Sequence, residues 1–489
     1  MTETQTEFVP VAQEQRIHAL DIVRGFALLG IALMNVEFFN RPLAALDDGL
    51  PTGLTGMDAW AGWLIHVFVR AKFFTMFSIL FGMGFAVMLA RAQAAGREFT
   101  GAYLRRTLAL ALFGLAHGVL IWAGDILLSY AGAALLLLIV LFARGWAMWL
   151  AFALIVVVSF AIDPGNGRFT AMILLLDGVV LALLRRGQRI EDAPTVASQS
   201  LRGRRLLGAG LALYLIPSLM MVAAGGMMTV AAGAHQDESV AAESGKPAAQ
   251  QTDTQKQAVA KARAERAAHR AEETRVMTRG SYAEAVAFRA KQFTGDYLKA
   301  LFFLTVALGL FLIGAWLLQS GAMRDPAAHL PLFRRMAFVV LPLGLMATLA
   351  GAAIAVRPDP AKQGEWLLSM GLMFTGGMPM SLGYIALVML ALQRDAWRRL
   401  LGWVAPMGQM ALTNYIGQSV LGTLFFYGYG LGHWALPRAQ QVVYVLVVFA
   451  LQLVFSKLWL LRFRYGPLEW LWRAATYRQW PLLRRSTVR

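Results

Sequence analysis

The chain is laid out as a series of apolar runs, most of about 18 residues or more, separated by short polar turns. About 20 apolar residues in helical form cross the hydrocarbon core of a bilayer, and a barrel would instead show alternating segments of about ten. The pattern predicts an all-α polytopic membrane protein with about twelve (10–12) transmembrane helices and one extracytoplasmic helical insert. The spans read as 20–39, 62–90, 104–122, 126–143, 146–162, 169–184, 206–231, 298–319, 336–356, 366–392, 406–430 and 440–461. The second is too long for one upright helix. It reads as an interfacial piece over 58–70 followed by a membrane helix from about 73, or as one strongly tilted helix.

One segment interrupts the pattern. Residues 232–297 contain "KQAVAKARAERAAHRAEETRVMTRGSYAEAVAFRAKQF", whose Ala, Glu, Lys and Arg favour helix. Lys261/Glu265 and Glu265/His269 stand four apart, as helix-surface pairs do. The segment reads as a solvated helical lid or spacer, with a substrate-gating element as the sharper alternative. Its flank "GAHQDESVAAESGKPAAQQTDT" has the composition of flexible chain. The layout is then an N-terminal bundle of about seven spans (1–231), the insert (232–297), a C-terminal bundle of about five spans (298–463) and an amphipathic tail (464–489).

Charge adds orientation. The net charge is +17, but the basic residues gather at the ends of the apolar runs, so the balance points to topology rather than to nucleic acid. Alternate loops hold Arg91, Arg97, Arg105, Arg106, Arg334, Arg335, Arg398 and Arg399. The opposite loops hold only Arg41, Arg168, Arg357, Lys362 and Arg438. By the positive-inside rule both termini face the cytoplasm and the insert lies outside it. Composition agrees with the class: 58% of residues are hydrophobic. There is no cysteine, which excludes disulfides, a thiol nucleophile and Cys-ligated metal. Neither a phosphate-binding Walker loop nor zinc-ligand spacing is present, so ATP-driven transport and a bound metal are not expected.

Four polar clusters sit within this oily chain. "HGVLIWAGDILLSY" (117–130) carries His117, Trp122 and Asp125, and ionisable groups at membrane depth are expensive enough to suggest function. On one unbroken helix His117 and Asp125 would be about 12 Å apart along the axis. Gly124-Asp125 instead suggests a tight hairpin, with Asp125 capping the next helix and both side chains facing one cavity. His117 is then a general base oriented by Asp125, with Trp122 as a wall. The plainer alternative is Asp125 as a cap and His117 as interhelical glue.

In "RIHALDIVRGFALLGIALMNVEFFN" (16–40), Asp21 and Arg24 can pair on one helix face, and Arg24 is positioned for a phosphate or carboxylate. Asn35 and Glu37 lie toward the other end. In "HVFVRAKFFTMFSILFGMGFAVML" (66–89), Arg70 and Lys72 either meet an anionic ligand or snorkel to headgroups, and Gly82 and Gly84 permit close helix approach. In "MGQMALTNYIGQS" (407–419), Asn414 and Gln418 share a face, as interhelical glue or as hydrogen bonds to substrate. Asp177 and Lys457 read as buried ionisable groups that seek partners.

Five stretches together, "LDIVRGFALLGIALMN" (20–35), "KFFTMFSILFGMG" (72–84), "HGVLIWAGDILLSYA" (117–131), "GQMALTNYIGQS" (408–419) and "RYGPLEWLWRAATY" (464–477), resemble the YeiB-like family of bacterial inner-membrane proteins. "LDIVRG" and "FTMFSILFG" are further similar to the first two helices of the transmembrane acyltransferase superfamily, which includes heparan-α-glucosaminide N-acetyltransferase. That resemblance implies acyl transfer from acyl-CoA, most simply acetyl-CoA, through a catalytic histidine. The histidine that the human-type enzyme carries before its second helix is not reproduced in register. His66 lies a few positions later and His117 belongs to the YeiB-like motif alone, so both stand as candidates.

Two functions therefore follow. One is a membrane-embedded acyltransferase in the bacterial inner membrane. Its catalytic residues are His117, Asp125 and His66, its acyl-CoA site Arg24, Asp21, Arg70 and Lys72, and its acceptor site Trp122, Glu37, Asn35, Asn414 and Gln418. The acceptor is a sugar, a lipid headgroup or a small molecule, membrane lipids are the surroundings, and the apolar surface leaves room for a homodimer. The other is a secondary transporter for a small solute, an anion being one option, with Asp125, Asp177, Glu37 and Lys457 as substrate or proton sites.

Overall fold

The structure, a computed structural model, describes residues 17–45, 50, 53–142, 145–162, 164–185, 196–242, 253–292, 297–354 and 363–485. The polar stretch before Arg16, residues 243–252 of the insert's flank, Arg357 and Lys362 lie outside them. The described chain is mostly helical: α1 His18–Phe39, α2 Gly56–Leu64, α3 Lys72–Ala94, α4 Thr100–Ala116, α5 Leu127–Phe142, α6 Gly145–Ile162, α7 Pro164–Arg185 and α8 Val196–Ala242. The insert supplies α9 Asp253–Arg279 and α10 Tyr282–Gln292. There follow α11 Tyr297–Gln319, α12 Leu330–Arg335, α13 Leu341–Ile354, α14 Gln363–Ala391, α15 Asp395–Gly402, α16 Ala405–Gln409, α17 Ala411–Phe426, α18 Arg438–Arg462 and α19 Pro467–Tyr477.

Among the described residues, eight helical stretches are long and apolar enough to cross a membrane. Shorter apolar helices, at Leu127–Phe142, Met148–Val157 and Ala171–Leu183, coincide with three further expected spans. The protein is thus an all-α polytopic membrane protein. The expected span 406–430 is divided, because the helix beginning at Ala405 stops at Gln409 and a new one starts at Ala411. Met410, between them, leaves helical geometry with φ −109° and ψ 37°.

Helices from the two sides of the insert pack together. α1 lies against α16, α17, α18 and α3, α11 against α3 and α8, and α14 against α8 and α13. The α3–α11 crossing is close because both faces lack side chains there. A Cβ on Gly82 would fall 2.1 Å from Phe311 O, and one on Gly314 would fall 2.0 Å from Ile79 O. Such small-residue contacts let membrane helices approach where apolar burial alone gives no driving force. We call the end of the bundle holding Phe39 the upper end and that holding His18 the lower.

At the lower end, α19 ties two motifs to each other. Glu469 accepts the backbone N–H groups of Leu412 at 2.6 Å and Thr413 at 3.0 Å, together with the Thr413 hydroxyl at 2.6 Å. It thereby satisfies donors that the start of α17 leaves open. Trp472 Nε1–H donates to Arg106 O at 2.8 Å while the Arg106 guanidinium lies 3.6 Å from the Trp472 ring centroid.

Candidate functional site

Two breaks of the same kind interrupt the membrane helices near the upper end of α1, and each holds a histidine. After α4 the chain widens into a π turn, His117–Ile121, closed by Trp122 N–H donating to His117 O at 2.8 Å. After α2 it does the same over Ile65–Val69, closed by Arg70 N–H donating to Ile65 O at 2.8 Å. Such turns leave carbonyls unpaired and are frequent at functional sites.

At the first break the chain leaves the helix in extended geometry at Trp122 (φ −155°, ψ 126°) and re-enters it at Leu127. Asp125 serves both sides of this hairpin. Its Oδ2 accepts the Leu128 N–H at 2.8 Å, capping α5. Its Oδ1 lies 2.8 Å from His117 Nδ1. Gly114 makes room for this: a Cβ there would sit 2.4 Å from Leu128 N and 2.9 Å from Asp125 Oδ2. A carboxylate accepts only, so Nδ1 carries the proton and Nε2 is the basic nitrogen. His117 is 1% exposed, and its Nε2 is buried without a hydrogen-bond partner. Tyr415 of α17, with its ring centroid 5.2 Å away, and Trp122, at 6.4 Å, wall the imidazole. Trp122 is itself fixed by its Nε1–H donating to Phe38 O at 3.4 Å and by the Phe39 ring at 4.4 Å.

The insert covers this break. Arg289, 1% exposed, donates from Nε to Val119 O and from a terminal nitrogen to Leu120 O, each at 3.0 Å. Tyr282 OH donates to Leu120 O at 2.9 Å. α9 is anchored beside it: Glu273 accepts Leu43 N–H at 2.7 Å and Ala44 N–H at 3.2 Å, and Gly428 N–H donates to Met277 O at 2.8 Å. Burial pushes the Glu273 carboxyl up, and those two N–H donors pull it partly back. The insert is therefore a docked cap rather than a free spacer. Arg289 and Glu273 carried no local signal in the sequence, because their partners are backbone groups more than 150 positions away.

At the second break Arg70 is extended in ψ (131°) and Ala71 is left-handed at φ 67°. Non-glycine residues rarely hold that geometry unless their surroundings impose it. Here α14 does so: Tyr384 OH donates to Phe68 O at 2.9 Å and Ser381 Oγ to Lys72 O at 2.7 Å. This break separates α2 from α3, so the 62–90 stretch is two helices and not one tilted rod. His66 is buried, its Nε2 unpartnered, with the Trp63 ring 6.5 Å away. His66 and Arg70 line a small cavity of about 10 Å³ together with Met34, Glu37, Phe38, Leu50, Ile65 and Arg438. Glu37 pairs there with Arg438 from the start of α18 and with Arg41.

Other sequence candidates fall elsewhere. Asp21 and Arg24 pair at 3.2 Å in the lower half, and Arg24 NH2 lies 3.8 Å from where Gly84 would carry a Cβ. Lys72 and Gly84 are twelve positions apart on α3, about 18 Å, so Arg24 and Asp21 do not share a site with Arg70 and Lys72. Lys72 does not snorkel; it is 0% exposed. Asn414 and Gln418 join α17 to α18. Asn414 Nδ2–H donates to Ser456 Oγ at 2.9 Å, Gln418 Nε2–H to Gln452 Oε1 at 3.1 Å, and Gln452 returns a bond to Asn414 O at 2.9 Å. They act as interhelical glue. Asn35 is half-buried. Asp177 accepts from Thr305 Oγ1 at 2.9 Å, whereas Lys457 is exposed and stacks over Trp403 at 3.6 Å. Among the described residues, no group of three or more His, Cys, Asp or Glu is placed to hold a metal ion.

Residues 317–479 match a family described as "Protein of unknown function (DUF418)". Over 494 aligned residues, 98% of this chain and 99% of the relative, the chain is 29% identical to the uncharacterized protein YxaH of Bacillus subtilis (strain 168). It is 28% identical to the uncharacterized protein YeiB of Escherichia coli (strain K12), over 95% of this chain and 97% of that one. The chain is thus similar to YeiB and YxaH over nearly its whole length. A third relative, an uncharacterized 39.9 kDa protein of Bacillus acidopullulyticus, is 27% identical over 97% of this chain and 98% of its own. No solved structure matches. The YeiB-like stretches converge in space: Tyr415 of 408–419 meets His117 of 117–131, and Glu469 of 464–477 caps the helix that carries Tyr415.

Proposed function

We propose that this chain is a membrane-embedded acyltransferase, with His117 as general base and Asp125 as the residue that orients it. The observation that carries the reading is the 2.8 Å Nδ1–Oδ1 contact, which leaves a buried and unpartnered Nε2. In the reaction, Nε2 takes the proton of an acceptor hydroxyl or amine as that group attacks the thioester carbonyl of acyl-CoA. The C–S bond then breaks, and the proton on Nε2 passes to the departing sulfur. Asp125 stabilises the imidazolium that forms in between.

Acyl-CoA, most simply acetyl-CoA, approaches from the lower end, which the charge bias assigns to the cytoplasm of the inner membrane. Its phosphates meet Arg24 and Arg106, with Arg473 within electrostatic reach of Arg106. Arg106 and His117 are eleven positions apart along α4 and the turn that follows, about 16 Å, a separation that an extended pantetheine arm spans. A sugar, a lipid headgroup or a small exported molecule fits the acceptor role. Transport of a small anion is the second reading, favoured by the cation-lined cavity beside Glu37.

The test is release of free thiol from acetyl-CoA by the full chain purified in detergent. Wild type releases thiol and His117→Ala does not. Failure to bind acetyl-CoA at millimolar ligand, with solute uptake into liposomes, assigns the chain to transport.

A further inference from the structure

α15 lies apart from both breaks, at the lower end of the bundle. It follows the span α14 and ends beside the start of α1, since a Cβ on Gly402 would lie 3.9 Å from His18 Nε2. Trp397, Leu400 and Leu401 recur at helical spacing, so they share one face. Leu401, with Val404 just beyond the helix, packs against the core of the bundle. Trp397, Leu400 and Trp403 are exposed, and no residue of α15 is buried. The opposite side holds Arg398 and Arg399, with Arg394 at the N-cap. Asp395, the one carboxylate on α15, pairs with Arg398.

What covers the exposed side of α15 is set by α18. Toward the end of that apolar span, Val454, Phe455, Leu458 and Leu461 are exposed, the face that a membrane helix turns to lipid. Lys457 stands among them, and its ammonium lies 3.6 Å from the centroid of the Trp403 ring. A lysine in that setting carries its charge toward the headgroup layer, and a cation over an indole face is a favourable pair. The Trp403–Lys457 contact therefore joins the exposed side of α15 to the lipid-facing side of α18 at headgroup level. A second copy of the chain is a poor occupant, because two such faces would set three arginines against three. By contrast α2, with Met57 and Trp60 exposed, carries no basic residue.

We propose that α15 lies in the interfacial plane of the bilayer and, with Lys457, binds anionic phospholipid. Trp397, Leu400 and Trp403 enter the boundary between headgroups and acyl chains. Arg394, Arg399 and Lys457 meet the lipid phosphates, as basic amphipathic helices do on anionic membranes. Leu401 and Val404 tie α15 to the bundle directly ahead of α16 and α17, so the bound lipid braces the helix that carries Tyr415. The inference is independent of acyl transfer: it concerns a surface and is read by binding alone.

The chain has no cysteine, so Leu400→Cys supplies a single labelling site on the exposed face. The full-length variant is labelled there with bimane and reconstituted in vesicles of phosphatidylcholine and phosphatidylglycerol. Strong quenching by a lipid spin-labelled near its glycerol, and weak quenching by an aqueous nickel chelate, is expected. The reverse order places α15 in water, and quenching by neither places a protein or a second copy over the face; either overturns the proposal. Selectivity is read on the unlabelled chain in detergent, as the rise in Tm on titration with short-chain phosphatidylglycerol, short-chain phosphatidylcholine or inorganic phosphate. A saturable rise with phosphatidylglycerol, at lower concentration than with the other two, is expected. Arg399→Gln is expected to weaken that apparent affinity about fivefold, and Arg399→Gln combined with Lys457→Gln about thirtyfold. Equal rises with the two lipids, an equal rise with inorganic phosphate, or an unchanged affinity in the double variant overturns the proposal.

Discussion

The two breaks differ in what faces the histidine. His117 has a carboxylate at 2.8 Å and aromatic walls, whereas His66 has Arg70, Lys72 and Arg438 acting on it and shares a small cavity with Glu37. The backbone device is shared: a π turn, an extended exit, and carbonyls collected by side chains from a distant element. For His117 that element is α10 of the insert, and for His66 it is α14. One way of interrupting a membrane helix thus yields two chemistries, decided by the charge of the neighbours. One histidine faces a carboxylate and aromatic rings, and the other lies among Arg70, Lys72 and Arg438.

The largest expected effect separates the two directly. His117→Ala lowers thiol release by ~10²–10⁴-fold, the usual weight of general acid–base catalysis. His66→Ala lowers it less, and an equal loss in the two variants would break the comparison. Arg289→Met leaves Val119 O and Leu120 O without their charged donor. It is expected to cost about 3 kcal/mol, read as a lower Tm and faster proteolysis of the insert. Tyr384→Phe removes one bond to the other break, at Phe68 O, for about 1 kcal/mol in the same unfolding assay. Ala71→Gly has the smallest effect. Relief of the left-handed strain exceeds the entropy cost of glycine and gives a net gain of about 0.5 kcal/mol, and a loss of stability instead would show that Ala71 is not strained.

Much of the first break was legible in the letters. Gly124-Asp125 after an apolar run indicated a hairpin, Asp at that place indicated a cap, and His117 eight positions earlier came within reach once the helix ended. The second break was partly legible, as a span too long for one helix. Its chemistry was not, because Arg438 lies 401 positions from Glu37. The stripe of Asn414 and Gln418 was visible, but only the position of α18 decides that it binds Gln452 and Ser456.

By itself the sequence determined the class of the molecule, its helical stretches and the places where they bend. Each of these follows from local terms, apolar length against bilayer thickness and backbone hydrogen bonds closed within a few residues. Only the tertiary structure decided which polar groups meet: that Arg24 and Arg70 sit far apart, that the charged insert seals the His117 break, and that Glu37 belongs to Arg438. Such pairings are long-range. A buried charge settles wherever the packed helices bring its counterpart, and no local spacing encodes that place.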